Sequence, residues 1–472
     1  MATSSLITDA PDDRPSNIES TALLAGEGRT AAGTGLKRFM WLLAALSVIG
    51  FVGIVFRFIN DDGRQDWGFY AATLAWMLTI FGGAPMVAIA PALAKADWVR
   101  PVARIASLGA IVTAIIALLM IPLLFKFPAL TEFSEVLGDD VRRRSIWFDS
   151  PSYAPHFWNV LILLTLALVG IAMAYVMAIP DFAAIRDHGT GWKQRWGKKL
   201  ARGFYGRPQQ WEWLKMRIGI TGALYFAMLL YTNFTFSLDF AVSLVPGWKD
   251  SLFPFYHTIS TFQAGIAFTI IGVWAARRWG GMNKYVGHEE MWSLGKFMLA
   301  TTLLWFYFFY SSFIVFWYGR SDSDSATIKL LVSGPYIYLF WAVFFLVFII
   351  PWWIMIWNKV RDSVWGPPIA AFIILFGLFL DRIRIYVSSW SAVPDDLELA
   401  TTSILQEMPD TMWPDVFDVF IMVGLPALGL LSILLVTRLV PLVSLWEVQQ
   451  SRLITKPVRF LRSHVKLVGK PD

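Results

Sequence analysis

The sequence contains no cysteine, and that absence removes several chemistries together. Without thiolates the chain cannot ligate an iron–sulfur cluster, attach a c-type haem or form a disulfide. Charge is scarce as well. Asp, Glu, Lys and Arg make up 16% of the 472 residues, where a soluble protein carries about a quarter. Five histidines remain as ligands or proton carriers: His156, His188, His257, His288 and His464. Any redox centre is therefore expected on a partner or a diffusible cofactor, with no metal or cluster bound by this chain itself.

What is abundant is apolar. Hydrophobic residues reach 56%, and there are 24 Trp, rings that anchor helix ends at the headgroup level. A span needs about 20 mostly apolar residues. Ten stretches qualify, roughly 39–59, 68–92, 102–125, 157–179, 217–240, 252–276, 296–317, 333–357, 366–389 and 415–440. Lipid offers backbone groups no partner outside a helix or a closed barrel, and these runs are too long and continuous for barrel strands. The expectation is an all-α polytopic membrane protein of about ten transmembrane helices. A polar N-terminal arm, residues 1–38, has no apolar core for a signal peptide. The transmembrane domain covers 39–440, with an outer loop at 390–414, and a basic tail covers 441–472.

Basic residues set the orientation. Placing both termini and the even-numbered loops on one side gives that side roughly 29 of the 40 Lys and Arg, against roughly 11 opposite. That side is expected to be cytoplasmic, in a cell inner membrane. The opposite side holds Asp395, Asp396, Glu398, Glu407 and Asp410. Residues 192–216, with Trp192, Trp196, Phe204, Trp211 and Trp213, read as an amphipathic helix on the cytoplasmic surface.

An ionisable group inside a span costs roughly 2.5–3.5 kcal/mol on insertion scales, so each invites an explanation. Asp239 closes the fifth span, His257 lies one turn inside the sixth, and His156 opens the fourth. Asp381, Arg382 and Arg384 sit toward the outer end of the ninth. All fall toward the non-cytoplasmic face. Quinol oxidation releases two protons and two electrons, so it needs proton acceptors near the ring oxygens. A carboxylate or imidazole serves, and an arginine tunes the carboxylate. Asp239 and His257 are expected to take protons, while the Asp381–Arg382 region positions the ring. The structural reading is also open: Asp381 and Arg384, three apart on one face, can simply neutralise each other. His257 can be a satisfied core histidine, and His156 an interfacial residue. On the cytoplasmic side, Asp181 and the His288-Glu289-Glu290 stretch are weaker candidates for admitting protons.

Several segments, in order, resemble one family: AIPDFAAIRD, SLDFAVSLVPGWKDSLFPFYHTISTFQAGIA, HEEMWSLGKFML with its FWYG ending, GPYIYLFW and LDRIRIYV. The family is the NrfD/PsrC-like membrane subunits, and the likeness is closest to the ActC-type quinol-site subunit of alternative complex III. The resemblance implies two four-helix bundles, at about 68–245 and 252–389, with the first and last spans outside them. It implies a membrane subunit of a respiratory oxidoreductase that exchanges electrons between quinol (menaquinol or ubiquinol) and an extracytoplasmic iron–sulfur subunit, with proton translocation proposed for such proteins. Further expected partners are other membrane subunits, including a second NrfD-like subunit, a c-type cytochrome, and lipid. Asp239 corresponds to the aspartate of the family's FDFAVS segment, and Asp381-Arg382 falls where relatives often have Glu-Arg.

The sequence also departs from the family. Quinol-binding relatives commonly carry a histidine in the second span, where this chain reads TIFGGAPMVAIA, and Lys249 replaces the histidine that follows PGW. Three other readings follow from these residues. One is an anchor or proton-path subunit without its own quinone. Another is a secondary transporter using the GGAP break, and the third is a haem b anchor on His156 and His257.

Overall fold

The computed structural model describes residues 34–60, 63–126, 142–143, 150–151, 154–280, 286–392, 405, 408–444, 446–448, 455–460 and 463–468. The arm over 1–33 lies outside these residues. So do Asp395, Asp396, Glu398 and Glu407 of the outer loop, and all of the tail beyond Val448 except two backbone strands.

Among the described residues nine helices are long and apolar enough to cross a membrane. They include α1 (Thr34–Ile59), α2 (Arg64–Leu93), α3 (Ala103–Phe125) and α4 (Ala154–His188). A short helix, α5 (Gly191–Leu200), precedes α6 (Pro208–Phe240). Then follow α7 (Phe253–Gly280), α8 (Glu289–Gly319), the short α9 (Asp322–Ile328) and α10 (Ile337–Ile356). The remaining expected span is also helical: α11 (Gly366–Arg382) continues through a π turn, Ile383–Val387, to Ser391. It returns the chain between α10 and α12 (Val416–Val436), so the path runs up and down throughout. Two small antiparallel pairings, Arg142–Arg143 with Ser150–Pro151 and Thr455–Phe460 with Ser463–Val468, lie outside the helical body.

The expected surface helix is shorter than 192–216. It ends at Leu200, and Pro208 starts α6, because proline's fixed φ suits a first helical turn. Gln210 Oε1 accepts from the amides of Tyr205 and Arg207 and ties that start down. Trp211 consequently belongs to a membrane-crossing helix, packed on Phe204 and Trp446.

α2, α3, α4 and α6 pack as one four-helix group, and α7, α8, α10 and α11 as a second. The two groups meet where α2 and α6 press on α7 and where α2 meets α11. The meeting is close. A Cβ on Gly83 would strike the carbonyl oxygen of Thr261, and one on Gly265 would strike the backbone of Gly83. The α1–α12 pair lies against the first group, joined at Gly50 and Gly424, where a Cβ on Gly50 would come 2.8 Å from Gly424 Cα. Such small-residue crossings bring backbones together where lipid supplies no hydrophobic drive. Arg57 locks the same pair, at 2.7 Å from Asp418 and 2.8 Å from Asp415. Hydroxyls within the spans are largely satisfied locally: Thr73 and Thr79 each donate to the carbonyl four residues back, both at 2.7 Å.

Candidate functional site

The segment FPFYHT opens α7 with Tyr256 and His257 side by side. Neighbours on a helix point about 100° apart, so the two rings serve different spaces. His257 is fully buried between the two four-helix groups. Its Nδ1 is 3.0 Å from Asn233 Oδ1, and its Nε2 is 2.9 Å from the Tyr386 hydroxyl. Asn233 spends its amide hydrogens on Leu229 O, so its oxygen is the atom turned to the ring. The partners therefore assign the proton to Nδ1, with Nε2 accepting from Tyr386.

Asp381 lies at the centre of a second set of contacts. Arg382 Nη1 donates to one of its oxygens at 3.0 Å and Arg384 Nη2 to the other at 2.8 Å. Arg382 Nε donates to Thr79 on α2 at 3.0 Å, and its Nη2 approaches His257 O at 3.5 Å. Arg384 Nη1 donates to Leu331 O at 2.9 Å. All three charged residues are buried. Charges at this depth persist only when paired and hydrogen-bonded. One carboxylate between two guanidiniums leaves a surplus positive charge. Two π turns frame the cluster, Leu78–Gly82 holding Thr79 and Ile383–Val387 holding Arg384 and Tyr386. Turns of this kind re-aim side chains and recur at functional sites.

Tyr256, itself buried, lines a cleft of about 70 Å³ at the end of the bundle away from the termini. Rings of Trp248, Phe253, Phe309, Phe313, Phe316 and Phe340 form most of its wall. Its polar wall consists of Asp250, Tyr256, Ser312, Thr327 and Arg384. Four buried atoms on this wall find no hydrogen-bond partner at normal geometry among the described residues: Trp248 Nε1, Tyr256 Oη, Ser312 Oγ and Arg384 Nε. Tyr256 also stands beside the Asp381 carboxylate. The cleft thus adjoins the buried charge cluster directly.

The structure divides the residues singled out in the sequence. His257, Asp381, Arg382 and Arg384 come together. Asp239 does not join them. It lies six residues along α6 from Asn233, about 9 Å of rise and on another face, and accepts from Trp158 Nε1 at 2.6 Å and Asn159 Nδ2 at 2.7 Å on α4. His156 is half-buried on the same side of the molecule, its Nε2 3.0 Å from Leu124 O. At the opposite end, Asp181 pairs with Arg104, which also donates to Met177 O at 2.9 Å. Glu447, buried against this pair from the segment after α12, is raised by burial to about 7, with Arg104 opposing and Asp181 adding to the shift. The side chain of His288 lies outside the described residues, while Glu289 is exposed and Glu290 buried.

Asn233, Tyr386, Thr79 and the cleft residues were not singled out in the sequence. Attention to ionisable groups inside spans passes over neutral partners, and Asp250 lies in a loop. An Asn inside a span was the one available signal.

The fold, the buried charge cluster and the order of segments all bear on the comparison with known families. The family model described as polysulphide reductase, NrfD, matches residues 58–394. The chain belongs to the NrfD family. NrfD proteins are membrane subunits of quinol-linked oxidoreductases and partner with iron–sulfur subunits in redox complexes. The match spans both four-helix groups and the cleft, and leaves α12 and most of α1 outside it. None of the curated proteins matches the chain.

Proposed function

We propose that this NrfD subunit exchanges electrons between the membrane quinol pool and an iron–sulfur partner seated over the cleft end, in a complex of the alternative complex III type. The cleft end is then the extracytoplasmic face, and both termini are cytoplasmic, as the excess of Lys and Arg on the termini side favours.

The observation that carries this reading is the wall of the cleft: aromatic rings for a planar head group, beside the polar side chains of Trp248, Tyr256, Ser312 and Arg384, each with a buried atom that lacks a partner at normal hydrogen-bond geometry. Buried polar groups without partners are costly, and a quinone offers an oxygen at each end of its ring. Arg384 Nε and Tyr256 Oη are placed to donate to one of them. The surplus positive charge around Asp381 favours electron density on that oxygen. Tyr256, beside Asp381, gives its proton a route to the carboxylate. His257, held by Asn233 and Tyr386, positions Arg382 through its backbone carbonyl and forms a second, buried layer. Asp239 acts as a tie between α4 and α6.

The test is a variant that fills the cleft from the α8 wall. Ser312→Leu in the purified complex should abolish binding of a quinol analogue while the complex still assembles. If the unaltered complex carries no quinone and binds no analogue, the subunit is an anchor without a quinone site.

A further inference from the structure

Asp250 is unassigned by anything above. It sits in the loop between α6 and α7, outside the membrane-spanning helices, and lines the cleft on the side where Lys249 next to it is exposed. Its Oδ1 accepts from the amides of Leu252 at 2.8 Å and Phe253 at 3.1 Å, which caps the start of α7. Both bonds fall on the one oxygen. On the cleft side, the Ser312 hydroxyl of α8 hydrogen-bonds to the carboxylate, and both residues line the cleft.

We propose that Asp250 accepts one of the two protons released by quinol and passes it to the aqueous phase at the cleft mouth. This rests on the quinone reading of the cleft and adds a proton acceptor to it.

The geometry supplies each requirement. Asp250 lines the cleft, is half-buried, and is next to the exposed Lys249. The charged side chains on the described wall are Asp250 and Arg384, contributed by the loop before α7 and by the π turn after α11. Tyr256 is the other titratable group on the wall, whereas α8 contributes Ser312 and the α9 region Thr327. Arg384 is engaged with Asp381 and Leu331 O, and Asp250 is the carboxylate on the described wall of the cleft, reached through the Ser312 hydroxyl. Burial raises Asp250 above the usual carboxylate range, with the amides of Leu252 and Phe253 and the Ser312 hydroxyl opposing. A raised value brings the group nearer the working pH, where a general base is most effective.

The step balances. Oxidation of one quinol breaks two O–H bonds and yields quinone, two protons and two electrons, the electrons going to the iron–sulfur partner. One proton converts the Asp250 carboxylate to the acid, which then releases it to water at the rim. The other leaves on the Tyr256–Asp381 side.

Asp250→Asn tests this cleanly, because Asn caps a helix as well as Asp does and α7 should start unchanged. The variant complex should bind the quinol analogue as the unaltered complex does, yet oxidise quinol about 100-fold more slowly, as loss of a positioned base predicts. Asp250→Glu should recover part of the rate. In the unaltered complex the rate should fall as pH drops through the raised Asp250 value, and this limb should flatten in Asp250→Asn. Redox-triggered infrared difference spectra should show a carboxylic acid C=O band that Asp250→Asn removes. Unchanged turnover across pH, or an unchanged carboxyl band, overturns the role of Asp250 while leaving the cleft as a quinone site. Failure of the unaltered complex to bind the analogue overturns both.

Discussion

At the scale of single residues, the buried polar groups divide into those that hold the molecule and those free to do chemistry. Asp239 belongs with the first by its contacts, since Trp158 and Asn159 both donate to it across the α4–α6 interface. Asp239→Leu removes the acceptor shared by the half-buried Trp158 and the buried Asn159, at about 1–3 kcal/mol. The expected outcome is a lower melting temperature of the purified protein in detergent. Asp239→Asn, which keeps one carbonyl acceptor, should lose less. A proton role for Asp239 would show instead as a rate loss at unchanged stability. Glu447 makes a prediction with a definite sign. Its value rises from 4.5 to about 7 when the segment after α12 is docked on Arg104 and Asp181. The docked state thus holds a proton that the undocked state has already lost between these values. Stability of docking is full below about 4.5, falls as pH rises, and is lowest above about 7. The span of the effect is about 3 kcal/mol. Hydrogen exchange of residues 440–448, corrected for intrinsic rates, should be faster at pH 8 than at pH 6, and Glu447→Gln should abolish the difference.

At the scale of elements, close backbone approach decides which substitutions the bundle tolerates. Gly83 meets the carbonyl of Thr261 so closely that no side chain fits between α2 and α7. Gly83→Ala should cost at least the roughly 1–3 kcal/mol of an overpacked core, read as reduced yield of assembled protein. The same contact bears on a departure noted in the sequence. In the stretch TIFGGAPMVAIA, the backbone of α7 fills the room a side chain at Gly83 would need. The π turns are the other local feature that matters. No sequence period announced them, because an extra residue in one turn leaves the apolar run intact. Yet they place Thr79, Arg384 and Tyr386 around His257 and Asp381.

For the whole molecule, the α1–α12 pair is a unit attached to the first four-helix group. Arg57 holds Asp415 and Asp418 while almost wholly buried. Removing one partner of a buried pair costs about 3–5 kcal/mol, and here the Asp418 charge left behind stays desolvated while Asp415 is exposed. Arg57→Ala should therefore loosen α1 from α12. The absence of native cysteine allows a clean measurement, with a single engineered cysteine pair at facing positions losing its cross-link yield. Gly424→Val should have a similar effect through steric exclusion, with Arg57 intact.

The sequence by itself determined the solvent this chain lives in and most of its helices. Apolar length is a local property, and lipid leaves the backbone few alternatives. Segment order was enough for the family, and the cost of burying charge pointed to His257, Asp381, Arg382 and Arg384. Only the tertiary structure decided which of those residues share a space. Asp239 and His257 lie on neighbouring spans near one face, and nothing in their spacing reveals that helix rotation turns Asp239 toward α4 and Asn233 toward His257. The cleft was likewise invisible, since its wall draws on a loop, four helices and the π turns Lys329–Ser333 and Ile383–Val387, far apart in the chain. Packing angles between helices set that wall, and they depend on contacts at Gly83, Gly265 and Gly377 that have no periodic signature.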